Sequence, residues 1–273
     1  MTSTAFADDR AHEGVSPHWG YVQPESPEHW SELLGNTLCL TGWEQAPIAL
    51  ESASATSGDV PAPSFFYAPS HVDMVNTGHT VQLDYDAGST IHIGTESYRL
   101  AQFHFHTPSE HTVDGVRYPM EMHLVHTDAS GKPAVVVGIL VKEGTGHHSE
   151  LDPAFQQLPS HSDEHISLPG VNVHAARLLP AERSFFHYAG SLTTPPCTEG
   201  IQWYVMRSPI ELPAEQIAAY RALAHLSPSN RPLQARNART VTLSKVPEQV
   251  RPPPDRPAQA HRPAPRRTDA RLP

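Results

Sequence analysis

Three histidines carry the strongest chemical signal in this sequence. The segment Gln102-Phe103-His104-Phe105-His106 places two imidazoles two residues apart, and His123 lies in a second β-rich run, residues 120–126. Side chains alternate across a strand, so His104 and His106 would share one face. If the second run pairs beside the first, three imidazoles converge and leave one position of a tetrahedral zinc open, as in catalytic zinc sites. The alternative is that these are strand histidines without a metal, in a chain that has 19 histidines.

Two polar residues lie where they could orient these rings. A zinc-bound imidazole needs an acceptor for its other ring nitrogen, and Gln102 and Glu121 each precede a ligand candidate by two residues on the same strand face. We interpret both as such acceptors. The alternative for Glu121 is a strand-edge charge that faces water.

A zinc site that activates water also needs a group that orients the attacking oxygen. Residues 191–196 offer the Thr193 hydroxyl on a turn stiffened by prolines, and Glu110 offers a carboxylate that could hold this hydroxyl. Sequence spacing alone does not connect Thr193 with Glu110, because they lie far apart in the chain.

Short β-strands must position these residues. Runs rich in β-branched and aromatic residues alternate with turns that contain Asn, Asp and Gly, which favours hairpins. No strand–helix–strand alternation appears, so a mostly antiparallel sheet is predicted. The predicted strands are residues 64–68, 72–75, 80–85, 90–93, 97–106, 120–126, 132–142 and 200–207, and the predicted helices are residues 27–34, 152–158 and 213–226.

Composition divides the chain into three parts. Residues 1–16 are predicted to be a flexible polar arm, residues 17–245 one domain, and residues 246–273 a disordered tail rich in Pro and Arg. Residues 147–174 are predicted to be a polar loop region, where a second metal site is the alternative to solvated surface histidines.

Charge and hydropathy exclude some partners. The formal net charge of −10, with histidine neutral, argues against a nucleic-acid partner and an anionic membrane surface. No apolar run reaches the ~20 residues that span a bilayer, and residues 1–13 lack the apolar region of a signal peptide. Cys39 and Cys197 are either buried thiols in a reducing compartment or a disulfide that indicates an oxidising one.

Several longer motifs make the chain resemble the α-class carbonic anhydrases of bacterial type. The resemblance covers about residues 17–240, and the motifs occur in order and at matching spacing. They are His18-Trp19-Gly20-Tyr21, Pro27-Glu28-His29-Trp30, Gln45-Ala46-Pro47-Ile48, Asn76-Thr77-Gly78-His79, residues 102–106, Thr107-Pro108-Ser109-Glu110-His111, residues 121–126, Val137-Gly138-Ile139-Leu140, residues 190–196 and Asn230-Arg231-Pro232-Leu233-Gln234.

The resemblance implies a fold and a reaction. The fold is mainly β (α+β), a single domain on a large twisted, mostly antiparallel sheet with short surface helices. The reaction is the zinc-dependent, reversible hydration of carbon dioxide to bicarbonate and a proton, by attack of zinc-bound hydroxide.

The resemblance also implies residue roles. Thr193 resembles the residue that accepts a hydrogen bond from the hydroxide, and Glu110 resembles the carboxylate that holds this threonine. His79 resembles the proton shuttle, a role that suits an imidazole because imidazoles titrate near neutrality. The zinc ligands would be His104, His106 and His123, with Gln102 and Glu121 behind them. The water network would comprise Tyr21, Thr77 and Gln82. The apolar wall where carbon dioxide rests would comprise Val125, Val136, Leu192 and Trp203, and Thr194 would contact bicarbonate. His106 is expected to be oriented by a backbone carbonyl, and His111 and His126 are expected to be structural.

Further implications concern the environment of the protein. Cys39 and Cys197 fall where bacterial members carry a disulfide, which implies a periplasmic or secreted protein. The family also implies weak hydrolysis of activated esters, inhibition by sulfonamides and anions, and a homodimer. Ala46 and Thr77 replace the usual serine and asparagine, and neither change is expected to abolish activity.

Two other functions compete with this interpretation. One is a non-catalytic binding protein on the same fold, a role of family members that have lost zinc ligands. The three histidines at the ligand positions weigh against it. The other is a zinc store with additional ions on the His-containing loops, which the number of zinc ions per chain would distinguish.

Overall fold

The computed structural model describes residues 18–33, 35–145 and 149–244. The predicted arm (1–16) and tail (246–273) lie outside these described residues. The strands within them are β1 (Ala49–Leu50), β2 (Thr56–Gly58), β3 (Ser64–Phe66), β4 (Ser70–Asn76), β5 (Val81–Asp84), β6 (Thr90–Ile93), β7 (Glu96–His106), β8 (Thr112–Val113), β9 (Val116–Arg117), β10 (Met120–Thr127), β11 (Pro133–Glu143), β12 (His165–Val173), β13 (Phe185–Ser191), β14 (Glu199–Met206), β15 (Ile210–Leu212) and β16 (Thr242–Ser244). The helices there are α1 (Leu38–Thr41), α2 (Asp152–Phe155), α3 (Ala175–Leu178) and α4 (Ala214–Arg221), with 3₁₀ helices at Pro27–Glu32 and Ala224–Leu226.

One large twisted sheet contains most of the strands. Its order is β12-β4-β5-β7-β10-β11-β14-β13-β16-β2, and β3, β6 and β15 pair at its sides. Most neighbours are antiparallel, while β11–β14, β11–β15 and β16–β2 are parallel. The prediction of a mainly β fold on a mostly antiparallel sheet is therefore confirmed. The parallel pairs escaped sequence analysis because turn signals report only hairpins.

All eight predicted strands are present, and none of their ends differs from the prediction by more than two residues. The predicted helices are shorter than expected: residues 27–34 contain the 3₁₀ helix Pro27–Glu32, residues 152–158 contain α2, and residues 213–226 divide into α4 and a 3₁₀ turn. None of the helices in the described ranges is long and apolar enough to cross a membrane.

The prediction of a loop region over residues 147–174 is wrong for its last third. That stretch forms β12, which pairs with β4 at the edge of the sheet. Most β12 residues are exposed or half-buried, so the strand lacks the apolar alternation that would reveal it. Strand β13 was also missed, for the opposite reason: most of its residues are buried on both faces, which removes the period of two.

The central strands separate a packed face from the face that carries the histidines. Phe103 and Phe105 of β7 point into one apolar cluster together with Met122 of β10. The intervening residues, including His104 and His106, point to the opposite face. Burial of each Phe stabilises the fold by on the order of 1.5–3 kcal/mol. The packed face therefore holds β7 and β10 in register, while the opposite face carries the polar side chains.

Candidate metal centre

The register of β7 and β10 brings the three ligand candidates together. His123 lies directly opposite His104, and Glu121 lies opposite His106. Directly opposite residues project to the same face, so all three imidazoles converge. Their ring centroids are 4.6 to 5.3 Å apart, and one nitrogen from each ring lies within 4.8 Å of the other two.

The second nitrogen of each ring is held by an acceptor. His104 Nδ1 lies 2.9 Å from Gln102 Oε1, and His123 Nε2 lies 3.0 Å from Glu121 Oε1. His106 Nδ1 donates to the backbone carbonyl of Ser229 at 2.6 Å. These bonds leave Nε2 of His104, Nε2 of His106 and Nδ1 of His123 free to share an ion. Ser229 could not be found from the sequence, because a backbone acceptor leaves no residue-type signal.

The environment keeps these imidazoles neutral, which is the form that binds metals. Burial lowers the pKa of His106 to about 4. Burial, followed by the neighbouring imidazoles, holds the pKa of His104 well below its usual range. Burial also lowers the pKa of His123. Among the described residues, His106 Nε2 is buried without a hydrogen-bond partner, which is costly unless an ion is bound there. Three neutral nitrogens that converge in this way fit zinc.

A second possible metal group, His111, Glu121 and His123, overlaps the first. Both nitrogens of His111 already have partners: Nδ1 lies 2.7 Å from Glu121 Oε1 and Nε2 lies 2.6 Å from the Tyr188 hydroxyl. His111 therefore extends the support behind His123 and is a poor ligand. Nothing in the sequence indicates that Tyr188 belongs to this network.

The Glu121 carboxylate is the centre of this support. Its Oε2 accepts the backbone N–H groups of Glu110 and His111 at 2.9 and 2.8 Å. Burial raises the pKa of Glu121, but His111 and His123 outweigh that effect and hold it well below its usual range. Gly138 lies opposite His123, and a Cβ there would meet Glu121 Oε1 at 3.0 Å. The glycine thus leaves room for the carboxylate.

His126 belongs to a separate structural contact. Its Nε2 lies 2.7 Å from the Tyr67 hydroxyl and its Nδ1 lies 3.3 Å from the Val135 carbonyl. Burial lowers its pKa to about 3, so the ring is a neutral component of the core, as the sequence analysis expected.

The Glu110 carboxylate lies beside the converging nitrogens. Its Oε1 accepts the Arg231 backbone N–H at 2.8 Å, and its Oε2 lies 3.7 Å from His106 Nε2. Oε2 is buried and makes no hydrogen bond of ordinary geometry with the described residues. Burial raises the pKa of Glu110, while His123, the Arg231 N–H and the Thr193 hydroxyl oppose the rise. The fold therefore brings Thr193 close to Glu110, a relation that sequence spacing did not give.

The turn that carries Thr193 is fixed from several sides. Leu192 N–H donates to Thr198 O, and Cys197 N–H donates to Thr194 O, each at 2.9 Å. Cys39 and Cys197 form a disulfide, and the Cys197 carbonyl accepts Gln45 Nε2 at 3.0 Å. Thr193 is 5% exposed, so its hydroxyl is held with little freedom.

Arg231 joins the disulfide region to Glu110, and its role was not evident from the sequence. Arg231 is 2% exposed, and its guanidinium donates to Gln45 Oε1, Ala46 O and Cys39 O at 2.8 to 2.9 Å. Burial lowers its pKa to about 10, so it stays charged at neutral pH. The signal was hidden because all but one of its acceptors are main-chain carbonyls.

His79 lies on a turn whose main contact is Trp19. Its Nε2 donates to the Trp19 carbonyl at 2.7 Å, and the two rings stack with centroids 3.6 Å apart and 9° between planes. Burial lowers the pKa of His79, partly opposed by the Trp19 carbonyl. The ring is therefore neutral near pH 7 and able to accept a proton.

The other polar candidates are dispersed around this region. The Thr77 hydroxyl lies 3.2 Å from the Thr80 carbonyl. The Tyr21 hydroxyl is buried without a partner among the described residues, and burial holds its pKa well above its usual range. Gln82 lies opposite His104 on β5 and donates to Asp84 Oδ1 at 2.6 Å.

The apolar candidates form one surface next to the histidines. Val125 lies opposite Gln102 and Val136, and Val136 lies beside Trp203. These three belong to one buried cluster against which Leu192 packs. Trp203 contacts the His123 ring at 4.8 Å between centroids. Thr194, half-buried, follows Thr193 on the turn.

Most of the chain is similar to known proteins. A family model described as eukaryotic-type carbonic anhydrase matches residues 25–245. A carbonic anhydrase of Pectobacterium atrosepticum is 37% identical over 88% of this chain and 96% of its own length. One of Neisseria gonorrhoeae is 38% identical over 88% of this chain and 93% of its own length. Among solved structures, the α-carbonic anhydrase of Thermovibrio ammonificans in complex with the inhibitor sulfanilamide has a TM-score of 0.78 at 37% identity, covering 84% of this chain and 99% of that chain.

Proposed function

The chain belongs to the eukaryotic-type, or α, carbonic anhydrase family, and we propose that it hydrates carbon dioxide reversibly to bicarbonate on a zinc ion held by His104, His106 and His123. The observation that carries this proposal is the convergence of one free nitrogen from each ring within 4.8 Å. When bound, zinc is a Lewis acid that lets a water lose its proton near neutral pH, a property for which carbonic anhydrases are the standard example.

Gln102, Glu121 and the Ser229 carbonyl fix the tautomers of the ligand rings. Each accepts the hydrogen of the nitrogen that faces away from the cleft. In this arrangement a lone pair of each ring points to the place where the three rings converge. The hydrogen bonds also make the imidazoles more basic, and therefore stronger metal ligands.

Thr193 and Glu110 orient the attacking oxygen. We infer that the Glu110 carboxylate accepts the Thr193 hydroxyl hydrogen in the working enzyme, because that hydroxyl already lowers the pKa of Glu110. The hydroxyl oxygen would then accept a hydrogen bond from the nucleophile. The nucleophile's remaining lone pair would then point to the substrate carbon. Because the turn that carries Thr193 is rigid, little further entropy is lost when the nucleophile is oriented.

Replacing Thr193 by valine is expected to lower kcat/KM for hydration by roughly 10–100-fold, because the orienting hydroxyl is lost while shape is retained. Zinc content should not change. Thr193→Ser is the matched control, since it keeps the hydroxyl and should retain most activity. Equal kcat/KM for the valine and serine variants in a stopped-flow assay would contradict the role of the hydroxyl.

His79 transfers the released proton from the cleft toward solvent. Its lowered pKa and half-buried position suit a base that receives a proton through ordered water. We assign this water to the neighbourhood of Tyr21, Thr77 and Gln82, where the Tyr21 hydroxyl is buried and no described residue hydrogen-bonds to it.

Replacing His79 by alanine should slow kcat in dilute buffer and leave kcat/KM nearly unchanged, since the proton leaves after the chemical step. Added imidazole should restore part of the rate. Turnover that is insensitive to buffer in both the variant and the unaltered chain would rule out the shuttle.

Val125, Val136, Leu192 and Trp203 form the resting site for carbon dioxide, and Thr194 contacts bicarbonate. An apolar surface suits a linear, uncharged molecule with weak hydrogen-bonding ability. The same cleft should bind sulfonamides and small anions, and weak hydrolysis of activated esters is expected from the same nucleophile.

The compartment and assembly are also part of the proposal. We assign the protein to the periplasm or to secretion, because the disulfide between Cys39 and Cys197 requires oxidising conditions. A homodimer is expected from the family. The catalytic domain is assigned to residues 17–245, with an arm before it and a Pro/Arg-rich tail after it.

A stopped-flow carbon dioxide hydration assay, with and without a sulfonamide and a chelator, tests the function. Turnover that both agents abolish, with a single zinc per chain, supports the enzyme. Tight zinc without turnover would indicate a binding protein, and several zinc ions without turnover would indicate a store.

A further inference from the structure

An exposed imidazole lies beside His79. The rings of His18 and His79 have centroids 5.8 Å apart and planes inclined at 34°, although the residues lie far apart in the chain. His18 is exposed and immediately precedes Trp19, whose ring and carbonyl hold His79. The segment that fixes the shuttle therefore also presents a second imidazole next to it.

The hydrogen bonding of His79 restricts how its proton can leave. Nε2 donates to the Trp19 carbonyl at 2.7 Å, and a carbonyl accepts hydrogen bonds without taking up the proton. Nδ1 is then the nitrogen that both receives a proton and releases it. Because the indole covers one face of the ring, release from this position needs an acceptor close to the edge of the ring.

Other groups near the His79 turn are less suitable acceptors. The Thr77 and Ser162 hydroxyls lie nearby, but a hydroxyl does not hold an added proton at neutral pH. Glu164 lies on the loop packed against Asn76, and its Oε2 already accepts the backbone N–H groups of Ser160 and His161. Histidine is the residue type that changes charge near neutrality without special perturbation.

We propose that His18 is a second proton carrier, which takes the proton from His79 and passes it to buffer. The N–H bond at Nδ1 of the His79 imidazolium breaks, a new N–H bond forms on His18, and a buffer base then removes that proton. Centroids 5.8 Å apart allow a direct contact or one bridging water between ring nitrogens. This inference rests on the proposed function of His79.

The test compares His18→Gln, His79→Ala and the double variant in carbon dioxide hydration at low and high buffer concentrations. His18→Gln keeps a polar, hydrogen-bonding side chain but cannot carry a proton. We expect its kcat in dilute buffer to fall about threefold, with kcat/KM unchanged and the rate restored by imidazole, because only a proton-transfer step is impaired. In the His79→Ala background, His18→Gln should have no further effect, because the two residues act in series.

The matched control is His71→Gln. His71 is exposed and paired with Asp86 on a different part of the surface, and its replacement should leave kcat unchanged in every buffer. If His79→Ala slows turnover in dilute buffer and His18→Gln does not, the relay is wrong and the shuttle stands. If neither replacement changes the buffer dependence, the assignment of His79 fails together with this inference. A fall in kcat/KM or zinc content for His18→Gln would indicate a structural role and overturn the proposal.

Discussion

Replacing His104 by alanine is expected to remove most bound zinc and to lower carbon dioxide hydration by more than about 100-fold, since loss of a group behind a ligand already costs 10–100-fold. His104 contributes one of the three nitrogens that lie within 4.8 Å of each other. The two remaining imidazoles would leave the ion with too few protein ligands for a stable catalytic site. Zinc per chain after gel filtration and stopped-flow hydration measure the two effects.

The control for this prediction is His92→Ala. His92 is an exposed histidine on β6, the strand that pairs with β7, and its replacement should change neither zinc content nor rate. The zinc content and hydration rate of Gln102→Ala should lie between those of His104→Ala and His92→Ala, because this replacement removes only the acceptor of His104 Nδ1. A His104→Ala protein with normal zinc and normal turnover would refute the metal centre as assigned.

Removing the disulfide, by the double replacement Cys39→Ala and Cys197→Ala, is expected to lower the free energy of unfolding by about 5 kcal/mol in the chain-entropy account. The bridge joins residues separated by 158 positions, so it restricts a large part of the unfolded chain. Alanine is preferred to serine because Cys197 is fully buried, and a hydroxyl there would need a hydrogen-bond partner.

The bridge should also affect catalysis, though less than stability. Cys197 follows the turn that carries Thr193, and the Cys39 carbonyl accepts Arg231 Nη2 at 2.9 Å. Loosening this region should reduce kcat/KM by a smaller factor than Thr193→Val.

Urea unfolding with and without a reductant provides the measurement and its control. The reductant should lower the unfolding free energy of the unaltered chain to about that of the double variant. It should leave the unfolding free energy of the double variant unchanged. Equal unfolding free energies for both proteins in oxidising buffer would mean that the bridge does not stabilise the fold.

The sequence by itself determined the local arrangement of the ligand candidates. The spacing of His104 and His106 requires a shared strand face, and the same period of two places Gln102 and Glu121 beside their histidines. Most strands of the central sheet were identified for the same reason, since hairpin turns and apolar alternation are properties of neighbouring residues. The edge strand β12 was missed because solvent covers much of it and no alternation remains.

The tertiary structure decided which distant groups meet. Strand register places His123 opposite His104. Contacts between segments far apart in the chain bring the Ser229 carbonyl to His106, Arg231 to Glu110, and His18 to His79. These contacts depend on sheet order and on main-chain acceptors. Residue types reveal neither of these features. Every residue has the same backbone carbonyl, and the register is set by the packing of the whole sheet.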